Sequence, residues 1–483
     1  MAKKTVLVVE LTTSGIHTPE RTQFDNKEFS EIGYQKLLER GKLQHLEKGR
    51  RIRERFSSIF GGKSFSRKNL VVFCEDRPPT QESVLYHLIG LLPPTNKSNS
   101  LSEAIKVPFS YKKQQKQNSK NTPKNGPKSP KRDKNRPKRD KYRPEILRGD
   151  VFESFKITNS SFEGIFNISV KPVKIDDIFL PYPEYNCPLM KTRVNSAKAI
   201  MNEHFKDQSD VLQPILKNFK PFQSPSNWTG SDLSSLYDYF TALHALDNSY
   251  PNETHQAAYD QLRALRALYL AQVYLSDPRN LEIFNSKKLD LILGELKSKL
   301  RIHAKIEKSG KLDQNQAIVT DLAAKEVKYM LFAGNDINLM AILKVLSLFN
   351  FKCLRDGLED GILENEEQCA SNPPPASSLL IEVYLENSDL FVELEYNGVK
   401  VVPDLCKDYG KNWQGGYSGC PLAIFVRILE GLSSHNFKSL CQPEGQEGQG
   451  ESSVLSMGFV ALVSFTCLQV TLWSFYWLRL ALS

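Results

Sequence analysis

The chain has 483 residues, of which 40% are hydrophobic and 25% charged, which excludes a fully disordered protein and allows a large core. Its net charge of +9 is local, because residues 112–143 hold ten Lys and four Arg against two Asp. That stretch alone carries +12 and leaves −3 for the rest, which excludes a protein that is basic throughout.

The first elements in chain order alternate between strand and helix. Short apolar runs at residues 6–9 and 69–74 predict buried strands, and apolar stripes at residues 33–56 and 83–92 predict helices. A strand, a loop and a helix in repetition are typical of a parallel α/β sheet. In such sheets ligands bind at the loops that follow the strands.

The middle of the chain interrupts this pattern. Residues 95–147 are rich in Lys, Asn, Pro and Ser, and we expect a disordered basic insert there. Strand-like alternation resumes at residues 162–183. Residues 196–300 have mainly helical periodicity, strongest at 233–246 and 255–275, and predict a helical cap subdomain inserted into the sheet domain.

The sheet pattern then returns. Residues 327–333 predict a strand that leads into a helix at 338–348. Segments 379–386, 390–396 and 399–402 alternate with period two, and Asn-Gly at the second turn is a strong hairpin signal. The sequence therefore assigns residues 1–94, 148–195 and 301–441 to one α/β domain.

A transmembrane helix is predicted at residues 454–478, after a linker at 442–453. These 25 residues include no charged side chain and no His, and a helix of that length reaches about 37 Å, enough for the bilayer core. Trp and Tyr lie near its end, where interfacial aromatic residues are favoured. A cleaved glycolipid-anchor signal is the alternative for such a short tail.

Cysteines and glycosylation acceptors indicate a lumenal or extracellular body for a single-pass membrane protein. None of the eight cysteines forms a CxxC pair, so we expect disulfides and no metal or cofactor. Five glycosylation acceptors are present: Asn96, Asn159, Asn167, Asn227 and Asn252. Residues 1–10 are not a signal peptide, so we expect a signal sequence upstream of Met1; a tail-anchored protein with a cytosolic body is the alternative.

Four short motifs follow one another along the chain. Residues 13–19 read Thr-Ser-Gly-Ile-His-Thr-Pro, residues 41–49 have the pattern Gly-x-x-Gln-x-x-x-x-Gly, and residues 90–94 have the pattern Gly-Leu-x-Pro-Pro. Residues 333–336 read Ala-Gly-Asn-Asp. The order of these motifs resembles that of the histidine acid phosphatases, branch 2 of the histidine phosphatases, where the first motif is Arg-His-Gly-x-Arg-Thr-Pro and the last is Ala-His-Asp. The resemblance implies an α/β fold with a doubly wound, mainly parallel sheet and a helical cap.

In the first motif, the residues that the resemblance implies to be catalytic are replaced by other residue types. Ser14 stands where the family has the histidine that becomes a phosphohistidine. Thr13 and His17 stand where it has two phosphate-binding arginines. A serine needs a base to attack phosphorus, and a phosphoryl group needs cationic partners, so these replacements predict lost catalysis.

The remaining matched positions lie in two later loops. Pro79 replaces a third phosphate-binding arginine, although Arg77 is close by, and Asn335 replaces the histidine before the catalytic acid. Asp336 alone retains its residue type, and in the family it protonates the leaving group. A helix N-cap is an alternative role for Asp336.

The sequence thus favours a membrane-anchored, catalytically inactive relative of the acid phosphatases, with a binding or structural role. An active acid phosphatase with a rearranged site, in which His17 serves as base or nucleophile, is the alternative. The cleft or the basic insert could take a phosphate-bearing or acidic ligand. The insert reads equally as a solvated spacer, and no specific nucleic acid is expected.

The resemblance also implies the disulfide pairing. It pairs Cys187 with Cys441 and Cys406 with Cys420. Cys353 and Cys369 are left to pair with each other, while Cys74 and Cys467 remain unpaired.

Overall fold

The computed structural model describes residues 3–19, 27–60, 69–75, 77–92, 187–207, 230–247, 253–308, 327–348, 373–404, 406–407, 419–433 and 441. The basic insert, the strands expected at 162–183, the linker and apolar segment at 442–478, the five glycosylation acceptors and the pair Cys353–Cys369 lie outside these residues.

Within the described ranges, no helix has both the length and the apolar character needed to cross a bilayer.

A mixed sheet forms the centre of the fold. Its strands are β1 (Lys4–Thr13), β2 (Leu70–Cys74), β3 (Tyr329–Gly334), β4 (Ser378–Glu386), β5 (Asp389–Tyr396), β6 (Val399–Val401) and β7 (Cys420–Pro421). They are ordered β2-β3-β1-β4-β5-β6, with β7 paired to β5. The strands β2, β3 and β1 are parallel, and β4 to β7 extend the sheet in antiparallel fashion. The carboxyl ends of β1, β2 and β3 therefore meet at one edge, where the candidate site lies.

The strand β1 is longer than the apolar run at 6–9 predicted, and it lies at the junction of the two halves of the sheet. It pairs with β3 on one side and β4 on the other, and every residue from Val6 to Thr13 is buried. A strand covered on both faces reads as a continuous apolar run rather than an alternating one.

Four helices lie between β1 and the cap: α1 (Lys27–Ile32), α2 (Glu39–Arg55), α3 (Ser57–Phe60) and α4 (Pro78–Leu91). Residues of α2 and α4 share a core cluster with the sheet face that includes Val8 and Leu331. The two helices cross closely at Gly49 and Gly90. A Cβ on Gly49 would lie 2.1 Å from the His87 carbonyl oxygen, and one on Gly90 would lie 2.1 Å from that of Leu46. Only glycine fits such an approach.

The cap consists of α5 (Pro188–Asp207), α6 (Gly230–Asp247), α7 (Glu253–Leu270), which continues as one π-helical turn (Ala271–Leu275), and α8 (Pro278–Lys308). The helices α9 (Asp336–Val345) and α10 (Leu422–Leu432) complete the described elements. Phe332 of the sheet, Leu339 of α9 and Phe284 of α8 belong to one core cluster with the cap helices. The cap is therefore continuous with the second face of the sheet.

Within the described residues, two disulfides join the cysteines that the resemblance pairs. Cys187 is bonded to Cys441 with 4.7 Å between Cα atoms, and Cys406 to Cys420 with 5.5 Å. Cys74 is buried and outside any disulfide.

Two helices that hold the loop after β1 begin several residues away from their predicted starts. The helix expected at 33–56 begins only at Glu39, because Gly33 and Gln35 have φ of +94° and +54°. The segment before this helix instead holds the loop after β1, because the backbone N–H of Thr18 donates to the carbonyl oxygen of Lys36 at 2.8 Å. The helix expected from residue 83 begins at Pro78, since proline is favoured in the first turn.

A polar cluster is buried beneath the end of β1. Tyr329 donates its hydroxyl to Glu10, and His87 Nε2 lies 3.0 Å from the Tyr329 oxygen and 3.3 Å from Glu10 Oε2. The His45 ring is fully buried, with its centroid 6.1 Å from that of His87. Burial, with the charges of Lys48 and His87, sets the pKa of His45 well below its ordinary value.

We expect His45 to destabilise the fold at acidic pH. Below the ordinary pKa of about 6.5 the unfolded chain binds a proton at His45 that the folded chain does not, so stability falls as pH falls. Between pH 6.5 and 5 this amounts to at most about 2 kcal/mol. Urea unfolding of wild type and His45→Phe at pH 7 and pH 5 measures it, and the variant should lose less stability on acidification. An equal loss in both proteins would contradict the assignment.

Candidate functional site

The loop after β1 is held in place by α2 and α4. The backbone N–H of Gly15 donates to Ser83 Oγ at 3.0 Å, and that of Ile16 to Gln44 Oε1 at 3.3 Å. Ser83 donates in turn to the Pro79 carbonyl at 2.7 Å. The first motif, residues 13–19, is therefore fixed relative to both helices.

Thr13 and Ser14 fasten this loop to the segment that precedes β4. The Thr13 hydroxyl accepts from Ser377 N at 2.9 Å and donates to the Pro374 carbonyl at 3.4 Å. The Ser14 carbonyl accepts from Ala376 N at 2.8 Å. Thr13 is buried, so its side chain faces these partners. It does not face the cleft, which consists of His17, Arg77, Asp238, Arg266 and Asp336. The position of a phosphate-binding arginine has become a structural contact.

His17 is oriented by its own loop. Its Nδ1 lies 2.9 Å from the Gly15 carbonyl oxygen, and since a carbonyl can only accept, Nδ1 carries the hydrogen. In the neutral ring this tautomer leaves Nε2 as an acceptor. His17 also acts electrostatically on Asp238 of the cap, so it belongs to the cleft.

Pro79 and Arg77 lie at the start of α4. Pro79 is buried in the first turn of the helix and offers no charge. Arg77 precedes the helix in an extended conformation, and its charge lowers the pKa of both Asp336 and Asp238. Arg77, two residues before Pro79, therefore brings a positive charge near both carboxyl groups.

Asn335, not Asp336, is the N-cap of α9. Its Oδ1 accepts from Asn338 N at 3.1 Å and from Asn338 Nδ2 at 2.8 Å. Asp336 is the first helical residue, and its Oδ1 accepts from Ile337 N at 2.9 Å. The N-cap role considered for Asp336 is therefore wrong, because α9 begins at Asp336, two residues before the predicted start at residue 338.

A cap arginine that the sequence reasoning missed reaches into the cleft. Arg266 of α7 forms an ion pair with Asp336 Oδ2, and its guanidinium carbon lies 4.7 Å from the centroid of the Tyr237 ring. Both charged side chains are largely buried, at 12% and 18% exposure. The available signal was a single cation within the apolar stretch at residues 264–268.

The two carboxyl groups of the cleft have opposite pKa shifts. Burial raises the pKa of Asp336, but the Arg266 charge and hydrogen bond outweigh it, so the net pKa is below its ordinary value. Burial raises the pKa of Asp238 above its ordinary value, although Arg266 and His17 oppose the shift. The cleft therefore stabilises the ionised form of Asp336 and makes Asp238 easier to protonate than an ordinary aspartate.

A second polar network supports Asn335 from behind. Asn335 Nδ2 donates to Glu75 Oε1 at 3.4 Å, and the fully buried Lys288 donates to Asn338 Oδ1 at 2.9 Å. Burial lowers the pKa of Lys288 to about 7, with Glu75 opposing. The network fixes the Asn335 side chain in its capping position.

In the portion of the chain that the structure covers, no group of three or more His, Cys, Asp or Glu could hold a metal ion.

Comparison with known proteins gives one family match and several similar folds. The model described as histidine phosphatase superfamily (branch 2) matches residues 3–397. The phytase from Citrobacter braakii is 14% identical with a TM-score of 0.50, over 90% of this chain and 99% of that one. Hafnia alvei phytase in complex with myo-inositol hexakis sulphate is also 14% identical, over 91% and 99%, with a TM-score of 0.49. At such identity the first likeness shows the fold alone.

The search of curated proteins found no match to this chain.

Substitution of Arg266 should remove the ion pair that keeps Asp336 ionised. In Arg266→Met we expect the pKa of Asp336 to rise, because burial would then act without the compensating cation, and stability to fall by about 3 kcal/mol. Carbon NMR of labelled aspartate side chains measures the pKa, and urea unfolding measures the stability. Arg263→Met, on the same helix, is the control. An unchanged Asp336 titration in Arg266→Met would contradict the role assigned to the ion pair.

Proposed function

The chain belongs to branch 2 of the histidine phosphatase superfamily, and from that membership we propose that it is a membrane-anchored, catalytically inactive member whose cleft binds a phosphate-bearing or acidic ligand. The ion pair between Arg266 and Asp336 carries this proposal. A general acid must hold a proton at the working pH, and Asp336 is held as a carboxylate.

The nucleophile position supports the same conclusion. Ser14 takes the place of the attacking histidine, and a serine hydroxyl needs a base within hydrogen-bond reach. His17 Nδ1 bonds to the carbonyl of Gly15, and the Thr13 hydroxyl bonds to Ser377 and Pro374. Both side chains stand where the family has phosphate-binding arginines, and both make hydrogen bonds that support the loop.

The cleft retains features suited to an anion. Arg77 stands at the start of α4 with its charge directed to the cleft carboxyls, and Arg266 is a second guanidinium in the same cluster. Guanidinium groups bind phosphate and carboxylate bidentately. Binding without turnover is the simplest function for such a site.

A second candidate function is an acid phosphatase with a rearranged site. The observation that favours it is the orientation of His17, whose Nδ1–H on Gly15 leaves Nε2 as the nucleophilic nitrogen. Asp238, whose pKa burial raises, would then be the protonated acid in place of Asp336.

Hydrolysis assays distinguish these two functions. We expect the purified protein to release no phosphate from p-nitrophenyl phosphate or from inositol hexakisphosphate between pH 4 and 7. Calorimetry should detect inositol hexakisphosphate binding that Arg77→Met weakens about tenfold, the loss of one charge-assisted contact. Turnover that His17→Ala and Asp238→Asn both abolish would instead establish the rearranged enzyme.

The membrane and lumenal parts of the proposal rest on the sequence and on the disulfides. Residues 454–478 supply the anchor, and two disulfides suit an oxidising compartment. We expect native protein to increase its gel mobility after treatment with a glycan-removing enzyme, because the five acceptors would be modified in the lumen. Unchanged mobility, with a transcript whose first codon is Met1, would favour a tail-anchored cytosolic protein.

A further inference from the structure

A cavity of about 420 Å³ lies between α2 and the segment at residues 374–378. Some of its lining residues hold the loop after β1, but its lining does not include the charged groups of the cleft, which are His17, Arg77, Asp238, Arg266 and Asp336. Its volume is in the range of small-ligand sites. Its walls combine polar and apolar side chains, among them Gln44, Lys48, Arg51, Ile52, Leu380 and Asn397.

One wall of this cavity is a strained segment held firmly in place. Ala376 has a φ of +62°, in the left-handed region that residues other than glycine rarely adopt. Its N–H donates to the Ser14 carbonyl at 2.8 Å, and Ser377 N donates to Thr13 Oγ1 at 2.9 Å. Backbone strain of this kind persists where the surroundings enforce it, and it occurs often at ligand sites.

Among the residues that the structure describes, the Lys48 ammonium has no carboxylate hydrogen-bond partner. The Lys48 ammonium donates to Thr12 Oγ1 at 3.2 Å and to the Ala376 carbonyl, both of which are neutral acceptors. An ammonium group has three hydrogens, so one further acceptor can be bound. Glu10 acts on Lys48 only electrostatically. Burial lowers the pKa of Lys48 to about 8, and the charge of Glu10 opposes this shift.

The acidic side chains of the wall are already engaged by arginines. Glu395 accepts from Arg55, and Glu47 lies 3.8 Å from Arg51. With these pairs formed, the Lys48 ammonium, which bonds to neutral acceptors, is the cation that an entering anion would meet. An entering anion would face a partly desolvated cation, where electrostatic attraction is stronger than in water.

We propose that this cavity is a second binding site, specific for a small phosphate or carboxylate anion, with Lys48 as its charged anchor. The third ammonium hydrogen would bond an anion oxygen, and Gln44 and Asn397 would supply amide donors from α2 and from the turn after β5. The apolar side chains of Ile52 and Leu380 complete the walls and limit the size of the occupant.

Hydrogen–deuterium exchange of the full chain tests the proposal, with inorganic phosphate and succinate as separate probes. We expect one of the two anions to protect peptides from α2 and from residues 373–378, and the probe that does so identifies the chemistry. Lys48→Met should weaken this binding at least about tenfold, because one charge-assisted contact is lost. Lys42→Met removes a charge from the same helix outside the cavity and should leave it unchanged.

Two further variants keep the test decisive. Arg77→Met should abolish protection at the cleft yet preserve it at α2, because the sites are separate. Lys48→Arg keeps the charge and should still bind, which covers the case in which Lys48→Met does not fold. If neither anion protects α2 and residues 373–378 in the wild type, or if Lys48→Met leaves that protection intact, the proposal is wrong.

Discussion

The hydrogen bonds between the end of β1 and the segment before β4 determine where every other group of the cleft can lie. Thr13 donates its N–H to Ser377 O at 3.0 Å and accepts from Ser377 N through its hydroxyl. Because β1 lies at the centre of the sheet, its last residues define the edge at which all the functional loops meet. An arginine at position 13 would keep the backbone bond but would have no oxygen to accept from Ser377 N, so the threonine that stands in place of the family's arginine also holds the loop.

The cap has changed the electrostatics of the cleft from the other side. In the family that the chain resembles, arginines at this edge bind phosphate, whereas Arg266 of α7 is bonded to a carboxylate of the protein. The stacking of its guanidinium on Tyr237 helps to stabilise the charge there. The result is a site in which cation and anion satisfy each other, which suits a stable closed cleft better than turnover.

Periodicity predicted most of the fold, and long-range contacts explain what it missed. The strands β3, β4 and β5 and the final hairpin follow directly from alternation and the Asn-Gly turn. The helix start at Glu39 depended on two positive φ angles, which propensity does not reveal in a residue such as Gln35. The motif order located Thr13, Ser14, His17 and Asp336, but Arg266 pairs with a residue 70 positions away, and no local pattern shows that. The sign of Arg266 in the sequence was a charged residue within an apolar stretch of a predicted helix.

The replaced catalytic positions have become parts of the fold. Asn335 caps α9 and bonds Glu75, and Asn338 connects the same network to the buried Lys288. A histidine at position 335 would remove the oxygen that accepts from Asn338 N, and a lost N-cap costs about 1 kcal/mol before any effect on Lys288 is counted. Restoring a single family residue would therefore destabilise the loop that carries it. The residue types at these positions and the stability of the loops depend on the same hydrogen bonds, so a change in one is also a change in the other.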